Sequence, residues 1–345
     1  MIIKAEKEVL ASAKGKGLAA LDGYIEQAEE MSCHWKENKA VSACQFPVRL
    51  TDGLDVEYRD ESGFSHRGDI SEYAFSQLCG KVGVPASYIK KCFANEMGDL
   101  AVYNFEKWSE RNQPDDNLLI REYDGTVRAV LTDRYNVFNT ASVLRNLRDA
   151  VSSPELKNRY ILNQIFMDTD KLHLRFVDFE NRIETSFGRL YPGFTISSSD
   201  VGDGSLNIKY FLYRFACTNG IVIVKNGGIL FRQTHLKNFD EIGGSLFRTA
   251  LESMDELNAF SAKQIALAEN KRLSFDEIQM YLARAKRELH LGNKIDKVEE
   301  LMKDTYPERN LISFIHAVTQ NAQDYTLSTR LEHETWAGNI LAAAA

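Results

Sequence analysis

The sequence has few cysteines, no cysteine motif and no long apolar run. Its five cysteines are scattered and none forms a CxxC pair, so neither a disulfide framework nor a zinc site is indicated. No stretch of about 18 apolar residues occurs, which argues against a membrane partner. Residues 1–30 are polar, without the apolar core of a signal peptide. We therefore expect a protein of the reducing cytoplasm, without a resident cofactor.

Proline and glycine are also scarce, at 6 and 21 residues in a chain of 345. With 44% hydrophobic and 10% aromatic residues, this composition is typical of an ordered globular protein and excludes a linker or a disordered chain. The length exceeds that of most single cores, which favours two domains. Glycine and proline nearly vanish after Asp240, so we predict a core domain over residues 1–240 and a helical module over residues 241–345.

The alternation of apolar residues and the turn residues predict an α+β fold. We expect an antiparallel or mixed sheet core, an N-terminal helical insertion and a helical C-terminal module. The first 240 residues contain the predicted strands at 41–50, 54–59, 118–131 and 160–232, and predicted helices at 18–31, from 69 to 93 and at 141–151. Turns are predicted at Asp124-Gly125, at 168–170, at Pro192-Gly193 and at 202–204, and further helices at 243–270, 274–290, 294–304 and 309–342.

Two side chains raise the question of catalysis. Cys217 could be a thiol nucleophile with His235 as its base, but its apolar neighbours favour a buried thiol that fills space. His173 could belong to a metal pair, yet no HxH or HExxH spacing accompanies it. The Asn-Gly pairs at 219–220 and 226–227 are typical of turns, and no glycine-rich phosphate loop is present. No catalytic residue, cofactor or metal site is assigned.

Charge is distributed unevenly along the chain. Residues 205–237 contain five basic residues and no acid, although the whole chain has a net charge of -7. The same stretch is rich in tyrosine and phenylalanine. Basic groups that neutralise phosphates, interleaved with rings on which bases stack, are what single-stranded nucleic acid requires. The alternative is that the aromatic residues belong to the core and the basic ones to a solvated face.

A second basic group lies at residues 127–148, where four arginines accompany a single Asp133. If this hairpin and helix present their arginines beside the 205–237 strands, the two groups form one surface. The predicted nucleic-acid interface therefore consists of Arg128, Arg134, Tyr135, Lys209, Tyr213, Arg214, Lys225 and Arg232.

Several segments together resemble a known family. These are FSQLCGKVGVPASYIKKC, AVYNFEKWSE, VRAVLTDRYNVFN, SSSDVGDGSLNIKYFLYRFACTNGIVI and NLISFIHAVTQNAQ, which occur in this order. In content and order they are similar to the phage/plasmid-like domain-of-unknown-function family 932. The likeness covers roughly residues 65 to 340, and RAVLTDRY and FLYRFACTNG are its most specific parts.

The resemblance implies a mobile-element protein, carried by phages or plasmids, that acts on DNA in a bacterial cytoplasm, but it supplies no catalytic residues. It is compatible with a role in recombination and with assembly into a homo-oligomer. Our first hypothesis is a non-enzymatic protein that binds nucleic acid, single-stranded DNA above all. The alternatives are an effector that binds a host protein through the acidic C-terminal helices and an enzyme that uses Cys217 or His173.

Overall fold

A computed structural model describes residues 17–40, 48–50, 55–112, 117–153, 156, 159–186, 188–214, 219–221, 229–233, 239–306 and 308–343. The predicted turn at 226–227, most of the predicted strand at 41–50, and Cys217, Lys225 and His235 lie outside these residues. Within them, no helix is both long and apolar enough to cross a bilayer.

The fold is α+β, as predicted, and its largest sheet is antiparallel. This sheet contains β7 (Tyr160–Met167), β8 (Lys171–Asp178), β9 (Ile183–Thr185), β10 (Gly188–Ser199), β11 (Leu206–Arg214), β12 (Asn219–Ile221) and β13 (Ile229–Gln233). The order is β12-β11-β10-β8-β7, with β13 paired to β11 and β9 paired to β10. Even-numbered residues of β8, β10 and β11, such as Leu174 and Ile208, face the main core, so the odd-numbered residues lie on the opposite face.

Two three-stranded sheets precede the large one. The first contains β1 (Trp35–Ala40), β5 (Leu118–Tyr123) and β6 (Thr126–Thr132), and the second contains β2 (Val48–Leu50), β3 (Val56–Arg59) and β4 (Ser65–Gly68). The accompanying helices are α1 (Gly17–Ser32), α2 (Glu72–Val82), α3 (Ala86–Ala94), α4 (Gly98–Arg111) and α5 (Thr140–Val151). Helices α2 to α4 are inserted between β4 and β5, which agrees with the predicted helical insertion.

The hairpin between β5 and β6 confirms the turn predicted at Asp124-Gly125. Asp124 and Gly125 have φ values of 49° and 80°, the left-handed values that a two-residue hairpin turn requires. Ser71 and Asn139 likewise begin α2 and α5 with side-chain caps, because each side-chain oxygen accepts a hydrogen bond from a first-turn amide.

The predicted turn at Pro192-Gly193 is wrong, because both residues lie inside strand β10. Pro192 is tolerated there since the ladder to β9 ends at Leu190 and the ladder to β8 begins at Gly193. Gly193 allows close approach, because a Cβ at this position would lie 2.7 Å from Phe211 Cε1 and still closer to the Phe176 carbonyl oxygen. Gly193 is therefore needed for close packing inside a strand and not for a turn.

The C-terminal module is helical, as predicted, but two of its long helices are each divided. It contains α6 (Phe239–Glu252), α7 (Met254–Asn270), α8 (Phe275–Glu288), α9 (Ile295–Asp304), α10 (Leu311–Asn321) and α11 (Leu327–Ala342). The predicted helix 243–270 breaks at Ser253, and the predicted helix 309–342 is interrupted by the short 3-10 turn Ala322–Asp324.

The main core crosses the predicted boundary at residue 240. Side chains from α1, α5 and the large sheet pack in one cluster with side chains from α6 to α11. Across the boundary, the hydroxyl of Tyr210 on β11 donates to Asn258 Oδ1 on α7 at 2.8 Å. A separate core lies under α2 to α4 and includes Phe75, Leu78 and Phe105. The C-terminal helices are therefore packed against the large sheet, which decides what they can contribute to a site.

Candidate functional site

Two of the predicted interface residues face the interior. Tyr213 is 4% exposed and packs edge-on against Phe179, with 6.4 Å between the ring centroids. Arg214 reaches into the helical module, where its Nη1 donates to the Tyr306 hydroxyl at 2.9 Å. Tyr306 in turn donates to Gln320 Oε1 at 2.6 Å. Tyr213 and Arg214 therefore both make packing or hydrogen-bonding contacts inside the protein.

Arg128 and Tyr135 join the smaller sheet to the large one. Arg128 binds Asp170 through two hydrogen bonds, from Nε to Oδ1 at 3.0 Å and from Nη2 to Oδ2 at 2.6 Å. The Tyr135 hydroxyl donates to the Ser199 carbonyl oxygen at 3.2 Å, and burial raises the pKa of this tyrosine. Arg134 is exposed on the loop after β6, and Lys225 lies outside the described residues.

Lys209 and Arg232 remain close to one another at the surface of the large sheet. Lys209 is half-buried on β11, and its pKa is lowered first by burial and then by the charge of Arg232. Arg232 is exposed on β13, and its Nε donates to Ser205 Oγ at 2.9 Å. The structure thus brings together two of the eight residues that the sequence predicted.

The odd-numbered face of the large sheet changes character along its length. His173, Ser197 and Asn207 lie side by side on β8, β10 and β11. The next row contains Arg175, Thr195 and Lys209, and the rows beyond contain Val177, Gly193 and Phe211 and then Tyr191 with Tyr213. One end of this face is therefore polar and cationic, whereas the other end is aromatic and buried.

A cavity of about 600 Å³ opens at the polar end of this face, and we call it the α11 cavity. Its sheet side includes His173, Ser197 and Asn207, and its opposite side is the start of α11, with Thr326, Leu327 and Ser328. Phe166 on the edge strand β7 also lines it and keeps 44% of its surface exposed. Its volume suits a ligand the size of a nucleotide.

The pKa of His173 reflects the burial and the positive charge around this residue. Its pKa is lowered to about 3, mainly by burial and then by the charges of Arg175, Lys209 and Arg330. Nδ1 is hydrogen-bonded to Ser197 Oγ at 2.9 Å, while Nε2 is buried without a partner among the described residues. An imidazole of such low pKa is a poor general base at neutral pH, so the His173–Ser197 contact does not resemble a nucleophile with its base.

Asp168, Asp170 and Asp203 line the cavity together with Lys171, so its lining contains three carboxylates and one cation. All the carboxylates of this region except Asp168 are paired with a cation. Asp170 binds Arg128, Asp203 binds Lys171, and Glu334 binds Arg175. Asp168 accepts hydrogen bonds from the amides of Asp170 and Lys171 at 2.8 and 2.7 Å. Among the described residues, Lys209, Arg232 and Arg330 have no carboxylate within ion-pair distance. The region therefore keeps an excess of positive charge.

Phe166 and Arg330 were missed by sequence reasoning. Arg330 lies on α11, more than one hundred residues from β11, and Phe166 looks like an ordinary core residue of a strand. Their only sequence signal is residue type, which is shared by many residues elsewhere. Tertiary packing alone brings β7, which carries Phe166, and α11, which carries Arg330, to the same end of the large sheet.

In the part of the chain that the structure describes, no group of three histidine, cysteine, aspartate or glutamate side chains is arranged to hold a metal ion. Comparisons with protein-family models, with curated proteins and with solved structures find no match to this chain. The resemblance to family 932 therefore stays a prediction, and function has to be argued from the α11 cavity.

Proposed function

We propose that the chain binds single-stranded nucleic acid at the α11 cavity, without catalysis. The observation that carries the proposal is the group of Lys209, Arg232 and Arg330, which have no carboxylate partner among the described residues. They lie next to residues that line the α11 cavity, since Lys209 and Arg232 neighbour Asn207 in the sheet and Arg330 precedes Leu331 on α11. The resemblance to mobile-element proteins suggests single-stranded DNA as the first ligand to test.

The cations would bind the phosphates. Lys209 is half-buried, so its ammonium group has lost part of its hydration and gains more from an anion than a fully exposed lysine does. Arg232 is exposed on the neighbouring strand β13 and can bind the phosphate backbone of the nucleic acid farther out. The overall charge of -7 disfavours coating of nucleic acid along the whole surface, so binding is confined to this region.

Phe166 would bind a base. Its ring lies on the edge strand at the rim of the cavity, where a base could stack without displacing a core residue. Stacking on one aromatic ring contributes about 1–3 kcal/mol and tolerates any base. Ser197 and Asn207 line the cavity floor and offer hydrogen-bonding groups to a base or sugar. The arrangement thus fits an unpaired strand better than a duplex, whose bases are stacked internally.

The test is a titration of a fluorescently labelled oligothymidylate at about 50 mM and about 200 mM salt, where phosphate contacts lose affinity. We expect binding that weakens with salt. The double variant Lys209→Gln/Arg232→Gln should bind more weakly and show a salt slope smaller by about 1 to 2, because two phosphate contacts are lost.

The matched control is Lys263→Gln/Arg248→Gln, which removes the same two residue types from exposed positions on α6 and α7. It should bind as the unmodified protein does. Equal weakening by both double variants, or no binding at low salt, would contradict the proposal and leave the host-protein effector as the hypothesis to pursue.

A further inference from the structure

We infer that helix α4 is an interface between two copies of this chain, which pack their α4 helices antiparallel around a two-fold axis near Tyr103. The inference is independent of the proposed function, because no residue of α4 lines the α11 cavity. It rests on the exposed apolar side chains of the helical insertion and on the unpaired charges at the two ends of α4.

Exposed apolar side chains are concentrated on the helical insertion. Among the described residues, ten large apolar side chains are exposed, and half of them lie between residues 88 and 108. These five are Tyr88, Met97, Leu100, Tyr103 and Trp108. Single exposed apolar residues are ordinary on a protein surface, but a contiguous group marks a surface that binds another molecule.

The exposed side chains form one stripe along α4. Leu100, Asn104 and Trp108 follow one another at spacings of four residues, and Tyr103 lies beside them, because residues three and four apart share a side of a helix. Asn104 Nδ2 donates to the Tyr88 hydroxyl at 2.8 Å, so α3 borders the same stripe. The stripe thus lies on the side of α4 that the described part of the protein leaves uncovered.

The charges of α4 favour a second copy of the same helix as the partner. Glu96 and Asp99 lie at its N-terminal end and Arg111 lies at its C-terminal end, and all three side chains are exposed. None of the three forms an ion pair within the described residues, whereas Lys107 is paired with Glu110. In an antiparallel pair, the acidic end of each helix faces the basic end of the other, so opposite charges meet at both ends.

These end charges also locate the two-fold axis. When either Glu96 or Asp99 faces Arg111 of a second copy, the axis passes between residues 103 and 105. Tyr103, which is 57% exposed, then lies beside its own counterpart, as a self-complementary two-fold interface requires. A helix of 14 residues is about 21 Å long, so the interface is small and dimerisation should depend on protein concentration.

The first experiment is sedimentation velocity of the full chain at protein concentrations of about 1 to about 100 μM. We expect a monomer–dimer equilibrium that weakens with salt, because the end charges are exposed. Tyr103→Lys should weaken dimerisation by about tenfold or more, since it places two like charges at the axis. Met280→Lys is the matched control, because Met280 is 58% exposed within α8, and this variant should dimerise as the unmodified protein does.

Charge reversal tests the antiparallel arrangement. Glu96→Lys and Arg111→Glu, each purified alone, should dimerise about tenfold more weakly, because each variant brings like charges together at both ends of the pair. Mixed in equal amounts, the two variants should recover most of the affinity, since opposite charges then meet again at both ends. Recovery on mixing would also show that both variants are folded.

Three results would overturn the interface. The first is a chain that stays monomeric at about 100 μM, which would mean that the stripe serves a different partner. The second is equal dimer affinity in Tyr103→Lys and Met280→Lys. The third is a mixture of the two charge variants that associates no better than either variant alone.

Discussion

Arg175 and Glu334 form a buried ion pair that joins strand β8 to helix α11. Both side chains are 1% exposed, and Nη1 donates to Oε1 at 3.2 Å while Nη2 makes a second, shorter bond to Oε2. The guanidinium also lies over the Phe211 ring, 5.4 Å from its centroid. This pair holds α11 against the odd-numbered face of the sheet and thereby positions one wall of the α11 cavity.

We therefore expect Arg175→Met to be strongly destabilising, because it removes the cation that compensates the buried Glu334 carboxylate. The loss in the free energy of unfolding should be about 3–5 kcal/mol, measured by urea denaturation. In Arg175→Met/Glu334→Leu no charge remains buried, so most of the loss should be recovered. A double variant as unstable as the single one would show that the pair is needed for its geometry rather than for charge compensation.

Gly193→Ala tests the packing inside β10. The added Cβ would lie 2.7 Å from Phe211 Cε1 and would also clash with the Phe176 carbonyl oxygen, so the strands must shift. We expect a loss of about 1–3 kcal/mol in thermal or urea unfolding, typical of an overpacked core. Gly204→Ala is the control, because a Cβ at that position has no heavy atom within 4 Å. Similar effects in the two variants would contradict this account.

Asp200 should make stability depend on pH. It is buried where β10 meets the smaller sheet, and burial raises its pKa to about 6, against the opposing effects of Arg121 and the Thr140 hydroxyl. Because the folded pKa exceeds the unfolded value of 3.8, the contribution to stability is fully present below about pH 4 and is lost as the pH rises through 6.

The measurement compares the unmodified protein with Asp200→Asn by urea unfolding between pH 4 and pH 7. Relative to the variant, the unmodified protein should lose up to about 3 kcal/mol across this range. Both proteins retain His173 and His316, whose lowered pKa values act in the opposite direction, so their contributions cancel in the difference. Parallel pH profiles would contradict the raised pKa of Asp200.

Phe166→Ala should separate base stacking from phosphate binding. We expect a loss of about 1–3 kcal/mol in the affinity for oligothymidylate, with an unchanged salt slope because no cation is removed. Phe275→Ala, at a ring that is 71% exposed on α8, is the control and should bind normally. A smaller salt slope in Phe166→Ala, or no loss of affinity, would exclude Phe166 as the stacking residue.

Local signals predicted most of the elements. Asp124-Gly125 predicted a hairpin because few other residue pairs adopt two successive left-handed conformations, and the structure confirms it. The same reasoning failed at Pro192-Gly193, where the absent Cβ serves contact with Phe176 and Phe211 and the absent amide coincides with the gap between the β9 and β8 ladders. Sequence alone does not distinguish a glycine needed for its φ from one needed for its size.

The candidate site was predicted only in part. Basic residues on a strand alternate between two faces, so the acid-free stretch 205–237 placed Lys209 and Arg214 together although they lie on opposite faces of β11. Strand alternation could have assigned them to opposite faces of β11, but it could not have shown which face the helices would cover. That depended on the helical module, which accepts Arg214 beside Tyr306.

By itself, the sequence determined the α+β composition, the strand and helix periods, the turn at Asp124-Gly125 and the unusual charge balance of residues 205–237. Each of these depends on neighbours in the chain or on residue type. Tertiary structure decided which charges are compensated, because Asp170, Glu334 and Tyr306 reach Arg128, Arg175 and Arg214 from distant segments. It also decided that the α11 cavity lies between Phe166 on β7 and the start of α11, since this arrangement results from packing α11 against the sheet.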